Sequence, residues 1–161
     1  HPRGRFHCLR FHNKYRAIHG SPSLFLSQEW ADILAKRSFF EHRPNCEYGE
    51  SLFTAFENDP NWIIRPSDPV KSWYSEIELY TFDESVVPNT IETGHFTQLV
   101  WKSTRKLGVG ISLHPSNRVY VVCDYDPPGN TVGEFDANVL PPVKAAKYKH
   151  TVQKKKKKII K

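Results

Sequence analysis

"GHFTQLVWKST", residues 94–104, is the stretch on which the fold turns. Phe96, Leu99, Val100 and Trp101 are strand-forming side chains, and the run reads as a β-strand. Yet it opens on His95, directly after a glycine. A titratable, metal-binding side chain at the mouth of a buried strand is either a hydrogen-bonded structural group or one member of a site. Which of the two holds depends on the partners the rest of the chain supplies.

Two further strands follow, "KLGVGISLH" (106–114) and "RVYVVCDY" (118–125), joined by a turn at "PSN". In the first of these, Leu107, Val109, Ile111 and Leu113 alternate with Gly108, Gly110 and Ser112. A strand face made of small residues invites the close approach of a helix. Ahead of residue 94 the period changes from 2 to 3.6. "FHCLRFHNKYRAIHG" (6–20) sets Cys8, Phe11, His12, Tyr15, Ile18 and His19 at helical spacing and ends on a capping Gly20. Ser27 can cap a second helix over residues 28–40. A short apolar segment, "ESLFTAF" (50–56), follows the loop "EHRPNCEYG". Asp68 as N-cap and Pro69 as N1 open a third helix running to Tyr80. Helices first and strands second predict an α+β domain, a three-layer α/β/α sandwich around a central antiparallel sheet. The domain is expected over residues 6–140, with residues 1–5 and 141–161 disordered.

The 161 residues are 39% hydrophobic and 13% aromatic, enough for one core. No run approaches the ~20 apolar residues of a membrane-spanning helix, and "HPRGRFHCLR" has no apolar region of the signal-peptide kind. Three cysteines (Cys8, Cys46, Cys123) are too few for a disulfide framework and read as small buried hydrophobes in a reducing compartment. The net charge of +6 is unevenly distributed. Nine of the 23 basic side chains fall in residues 141–161, among them Lys154, Lys155, Lys156, Lys157 and Lys158, with no acid beside them. The remaining 14 face 17 acids, so residues 1–140 carry −3. Basicity confined to a tail argues against a nucleic-acid-binding face. It suits an anionic membrane surface instead.

Glu76 lies about 60° from Trp73 on the third helix, at the margin of the stripe formed by Val70, Trp73, Ile77 and Tyr80. A carboxylate on such a margin needs a partner. His42 follows the second helix, where its dipole favours an imidazolium, and His42 and Glu50 bracket the turn "NCEYGE". The spacing of residues 42, 50, 76 and 95 matches no local metal motif, and from spacing alone both readings of His95 stay open.

Five segments in order, "HNKYRAIHG", "EHRPNCEYGES", "WYSEI", "GHFTQLVWKST" and "CDYDPPGN", resemble the motifs of the CAP superfamily (cysteine-rich secretory, antigen-five and pathogenesis-related proteins; SCP domain). "WYSEI", "GHFTQLVWKSTRKLGVG" and "NVLPP" look most like its Golgi-associated plant pathogenesis-related branch. The resemblance implies that His42, Glu50, Glu76 and His95 line one cleft. Within it, His42 and His95 would ligate Zn²⁺ weakly, and the carboxylates would orient the rings and water. It implies a non-enzymatic module that binds a sterol, fatty acid or anionic phospholipid at the cytosolic face of the Golgi or another membrane, with secretion the alternative should a signal peptide precede His1. Tyr80 and Phe82 are either core or the edge of a lipid groove. The rival readings are a metal-dependent or Ser/Thr-type hydrolase using the tetrad, and a scaffold whose tetrad stabilises the fold or mediates a homodimer. Three departures bear on these. Ser51 replaces the usual Asn, Thr93 stands where secreted members carry Cys, and Phe56 stands where some relatives carry a serine, with Thr54 nearby. His12, Asn13, Arg16 and His19 are expected as structural hydrogen-bonders.

Overall fold

Helix α1 covers Pro2–Ile18 in a computed structural model that describes residues 2–27, 47–56, 65–83, 85–114 and 118–143. The helix begins at Pro2, so residues 2–5, expected as part of a disordered remnant, are its first turn. Proline costs no hydrogen bond in a first turn, and the residues after it already pack. Arg5 is buried, and a Cβ on Gly4 would lie 3.2 Å from Ile111 Cδ1. The far end is the expected glycine cap. Gly20 has φ +68°, its N–H donates to Ala17 O, and Ser21 N–H donates to Arg16 O. That crossed pair of bonds satisfies the last turn's carbonyls.

The stretch 94–104 is not a strand. Thr90–Val100 form a helix, α3, which follows α2 (Asp68–Ser75) and a 3₁₀ turn, Glu76–Leu79. Two local signals outweigh strand propensity here. Asn89 caps the helix, its side chain accepting from Ile91 N–H at 3.1 Å, and Glu92 follows three residues later, the spacing of a capping box. Thr93, Phe96, Thr97 and Val100 are all buried, a 3-4 period no strand could satisfy. Ser67 rather than Asp68 is the cap residue of α2, and the Asp68 carboxylate accepts from Arg65 N–H at 2.8 Å.

The sheet has four strands in the order β1 (Phe25–Leu26), β3 (Lys106–His114), β4 (Arg118–Asp126), β2 (Gly49–Phe56). The last is the segment that reads only as apolar in the sequence. β1 runs parallel to β3, and the other pairs are antiparallel, so the sheet is mixed rather than purely antiparallel. β4, the hairpin partner of β3, pairs with Val109 opposite Cys123 and Leu107 opposite Tyr125. Alternation then places Leu107, Val109 and Ile111 on one face with Val121, Cys123 and Tyr125. Helix α1 lies on this face. At four-residue steps, Gly4 meets Ile111, Cys8 Sγ lies 3.9 Å from Cys123 Sγ, and His12 Nε2 bonds the Tyr125 hydroxyl at 2.8 Å. The architecture is an α+β sandwich. The proposed second helix, His42 and the tail from residue 144 lie outside the described residues.

Below this point the α1 stripe becomes polar and fully buried. The Arg16 guanidinium donates to four carbonyls, those of Pro22 (2.8 Å), Leu99 (3.2 Å), Trp101 (2.7 Å) and Thr104 (2.9 Å). Its pKa falls to about 10, chiefly through burial. His19 donates through Nδ1 to Leu140 O at 2.6 Å and accepts through Nε2 from the Tyr74 hydroxyl at 3.0 Å. Asn13 exchanges two bonds with the Leu24 backbone. These polar residues are structural, as expected.

Burial holds the His19 pKa below its ordinary 6.5. The folded state therefore keeps the ring neutral, whereas the unfolded chain takes up a proton as pH falls past about 6.5. Stability from this residue is complete above that pH and is lost on acidification towards the lowered value. The urea midpoint of the wild type is expected to drop between pH 7 and pH 5.5 more steeply than that of His19→Gln. Parallel profiles would contradict this assignment.

Candidate functional site

Glu76 closes helix α2 as its C-cap residue, and its carboxylate reaches across to α3. Oε1 accepts from the backbone N–H groups of His95 (3.0 Å) and Phe96 (3.1 Å), and Oε2 accepts from His95 Nδ1 at 2.8 Å. Three bonds fix the carboxylate, and a fourth contact fixes the ring, since the Trp73 indole stacks on His95 with centroids 5.9 Å apart. The helical period that puts Trp73 and Glu76 on neighbouring faces makes this clamp. Donation from Nδ1 leaves Nε2 with its lone pair, the tautomer that a metal ligand or a base requires. His95 retains 38% side-chain exposure and Glu76 19%.

The clamp borders an open cleft of about 450 Å³. One wall is the start of β2, Tyr48 to Ser51, and the other is the face of α3 carrying Thr90, Gly94, His95 and Gln98. Glu50 and His95 thus share the cleft, and Glu76 touches it through His95. His42, the fourth expected member, lies outside the described residues. Among the described residues no three His, Cys, Asp or Glu side chains gather as a metal cluster.

The floor is the loop Pro128–Asn130, which two side chains of α3 hold in place. Gln98 Oε1 accepts from Gly129 N–H at 2.8 Å, while its Nε2 donates to Thr104 Oγ1 at 3.3 Å. Thr97 Oγ1 donates to Asn130 Oδ1 at 2.6 Å, and Asn130 Nδ2 donates to Gly94 O at 2.9 Å. Asn130 sits at φ 58°, a left-handed conformation that asparagine tolerates better than most residues. A Cβ on Gly129 would come within 2.8 Å of both Gln98 Nε2 and Trp101 Cγ, and one on Gly49 would overlap Gln98 Oε1. Gln98, Asn130 and these glycines are site residues that sequence reasoning missed. Their signals were the Gln of "HFTQ" and the "GN" of "PPGN", which carry meaning only once 94–104 is helical.

Ser51, in the place of the usual Asn, is buried in the cleft wall and bonds the Tyr125 phenol. Thr93 is buried, with Oγ1 donating to Asn89 O at 2.8 Å. Phe56 is half-exposed at the far end of β2. Tyr80 and Phe82 belong to an aromatic cluster with Phe96, and they line a second, smaller cavity of about 120 Å³.

The sequence matches the Cysteine-rich secretory protein (CAP) family over residues 9–125. The chain belongs to this family. It is 37% identical over 154 residues to the Golgi-associated plant pathogenesis-related protein 1 of Homo sapiens, a match covering 87% of this chain and 96% of the relative. It is 33% identical to cysteine-rich secretory protein 1 of Mus musculus, covering 68% of this chain and 44% of that one. The structure of BmVAL-1 superposes with a TM-score of 0.67 at 25% identity, covering 87% of this chain and 82% of its own. The family's CAP fold, an α+β sandwich, is the fold of this chain. No helix among the described residues is long and apolar enough to cross a membrane.

The close fit of the floor loop yields a contrast between two glycines. Gly129→Ala forces Gln98 and Trp101 apart and is expected to cost about 1–3 kcal/mol in chemical denaturation. At Gly94 the nearest atoms to an added Cβ are 3.6 and 3.7 Å away, so Gly94→Ala is expected to be neutral or to stabilise the helix by up to about 1 kcal/mol. Equal costs for the two would show that the loop is not packed against α3 in this way.

Proposed function

We propose that the chain is a non-enzymatic lipid-binding CAP module that works at a membrane surface and holds a divalent metal weakly in its cleft. The observation that carries the metal reading is the Glu76 clamp. A carboxylate on Nδ1 fixes the orientation of the ring and turns the lone pair of Nε2 outward. That donor suits Zn²⁺, which would supply an open, water-bearing coordination position there. His42 is proposed as the second imidazole ligand, and Glu50 as an acceptor orienting water. A set of two imidazoles is smaller than the three protein ligands usual in catalytic zinc sites, so the affinity is low.

The same geometry argues against hydrolysis. A Ser-type mechanism needs a hydroxyl within hydrogen-bond reach of the base. Ser51 is committed to Tyr125, and Thr54 lies on β2 beyond the residues that line the cleft. The membrane reading rests on charge and kinship. Nine Lys in residues 141–161 follow a domain of net charge −3, and a relative covered almost end to end is named for its association with the Golgi. Near an anionic leaflet each Lys contributes about 1 kcal/mol, so partial engagement of Lys154, Lys155, Lys156, Lys157 and Lys158 is enough for reversible attachment.

Two measurements test the two halves. In zinc titration calorimetry, wild type is expected to show a weak site that His42→Ala/His95→Ala lacks, and equal uptake by both would dispose of the ligand assignment. In co-sedimentation with liposomes of graded phosphatidylserine content, the full chain is expected to bind and to be released by salt. A 1–140 truncation that binds equally well would remove the tail from the contact.

A further inference from the structure

The aromatic cluster has a second side. Tyr80 and Phe82 meet edge-to-face, with ring centroids 4.8 Å apart and planes at 78°, and form a corner rather than a stack. The corner opens on the cavity of about 120 Å³ described above, whose opposite wall is Asp136, Val139 and Pro141. A carboxylate stands on each side of it, Asp83 beside the rings and Asp136 across from them.

Neither acid is neutralised within the described structure. Asp83 Oδ1 accepts from the Ser85 backbone N–H (2.9 Å) and hydroxyl (2.7 Å), bonds that hold its pKa below the usual carboxylate value and keep it ionised. Asp136 is exposed and has no ion-pair partner among the described residues. Burial first, and then the charge of Asp136, push the Tyr80 phenol up, which places that carboxylate close enough to be felt at the ring. An acyl chain or a sterol does not fit: pockets that take ligands of that size measure roughly 300–1,000 Å³. A corner of two π faces with two anions at its rim has the complementarity of a cation carrying an apolar surface.

We propose that the Tyr80–Phe82–Asp83–Asp136 cavity is a binding site for an alkylammonium group, separate from the His95 cleft. The rings hold the N-methyl surface, and the two carboxylates neutralise the charge. A trimethylammonium suits ring faces and needs no hydrogen-bond acceptor, so the occupant is the choline headgroup of a zwitterionic lipid. The site does not depend on the metal or on the tail, and loss of either of those readings leaves it standing.

The test is titration of the full chain with phosphocholine, with N-acetyl-lysine methylamide, and with 3,3-dimethylbutanol, the neutral isostere of choline. Binding is followed by calorimetry and by the ring resonances of Tyr80 and Phe82. Phosphocholine is expected to saturate, and to bind about tenfold more tightly than the isostere and more tightly than the lysine amide. Asp136→Asn and Phe82→Ala, both at the surface, are each expected to weaken phosphocholine about fivefold or more while leaving the zinc titration unchanged. The proposal is overturned if phosphocholine does not saturate, if the isostere or the lysine amide binds as well, or if both variants bind like wild type.

Discussion

A single buried guanidinium organises the join between the helical half and the sheet. Arg16 is fully buried and, among the described residues, carries no carboxylate partner. Its charge is instead spread over four main-chain carbonyls from three segments. Those of Leu99 and Trp101 belong to the end of α3, where unpaired carbonyls give the helix a partial negative charge. That of Pro22 fixes the turn leading into β1, and that of Thr104 fixes the approach to β3. An unpaired buried charge would cost several kcal/mol, so the chain has one arrangement of these segments that satisfies Arg16 and few that nearly do.

From this constraint the rest follows in order. With the end of α3 pinned, its cap at Asn89 and its buried face set its rotation, and that rotation turns His95 towards the Glu76 carboxylate. Gln98 and Thr97 then face the loop 128–130 and make it the cleft floor. The site is therefore built on a helix face and the start of β2, with the loop 128–130 fastened to the helix at both Gly129 and Asn130. Such sites hold their geometry more closely than loop-borne ones.

The strands β3 and β4 and the first helix were legible in the sequence because each is long and strictly periodic. Residues 94–104 were not. Their composition favours a strand, and only the Asn89–Glu92 pair, outside the quoted motif, points to a helix. Propensity is a weak signal against a cap plus a buried face. Glu76 was legible as a carboxylate on an apolar margin, since the helical wheel needs only the sequence. Its partner was not, because the bonds to His95 N–H and Phe96 N–H exist only if those groups lie near the start of a helix. β2 was missed as a strand because it is exposed along part of one face and its apolar residues do not alternate cleanly. The pairing β1–β3 was missed because it spans two residues, too short to leave any pattern.

Glu76 serves two ends at once. The same carboxylate oxygen that receives main-chain N–H groups, and so joins α2 to α3, belongs to the group that orients the imidazole of the cleft. Natural variation at this position cannot reorient that imidazole without also altering the seam between two helices. Among the described residues His95 Nε2 carries no such double duty, and Glu50 enters from strand β2. Diversification of the cleft should therefore proceed through Glu50 and the rim, around an acid and an imidazole that drift together or not at all.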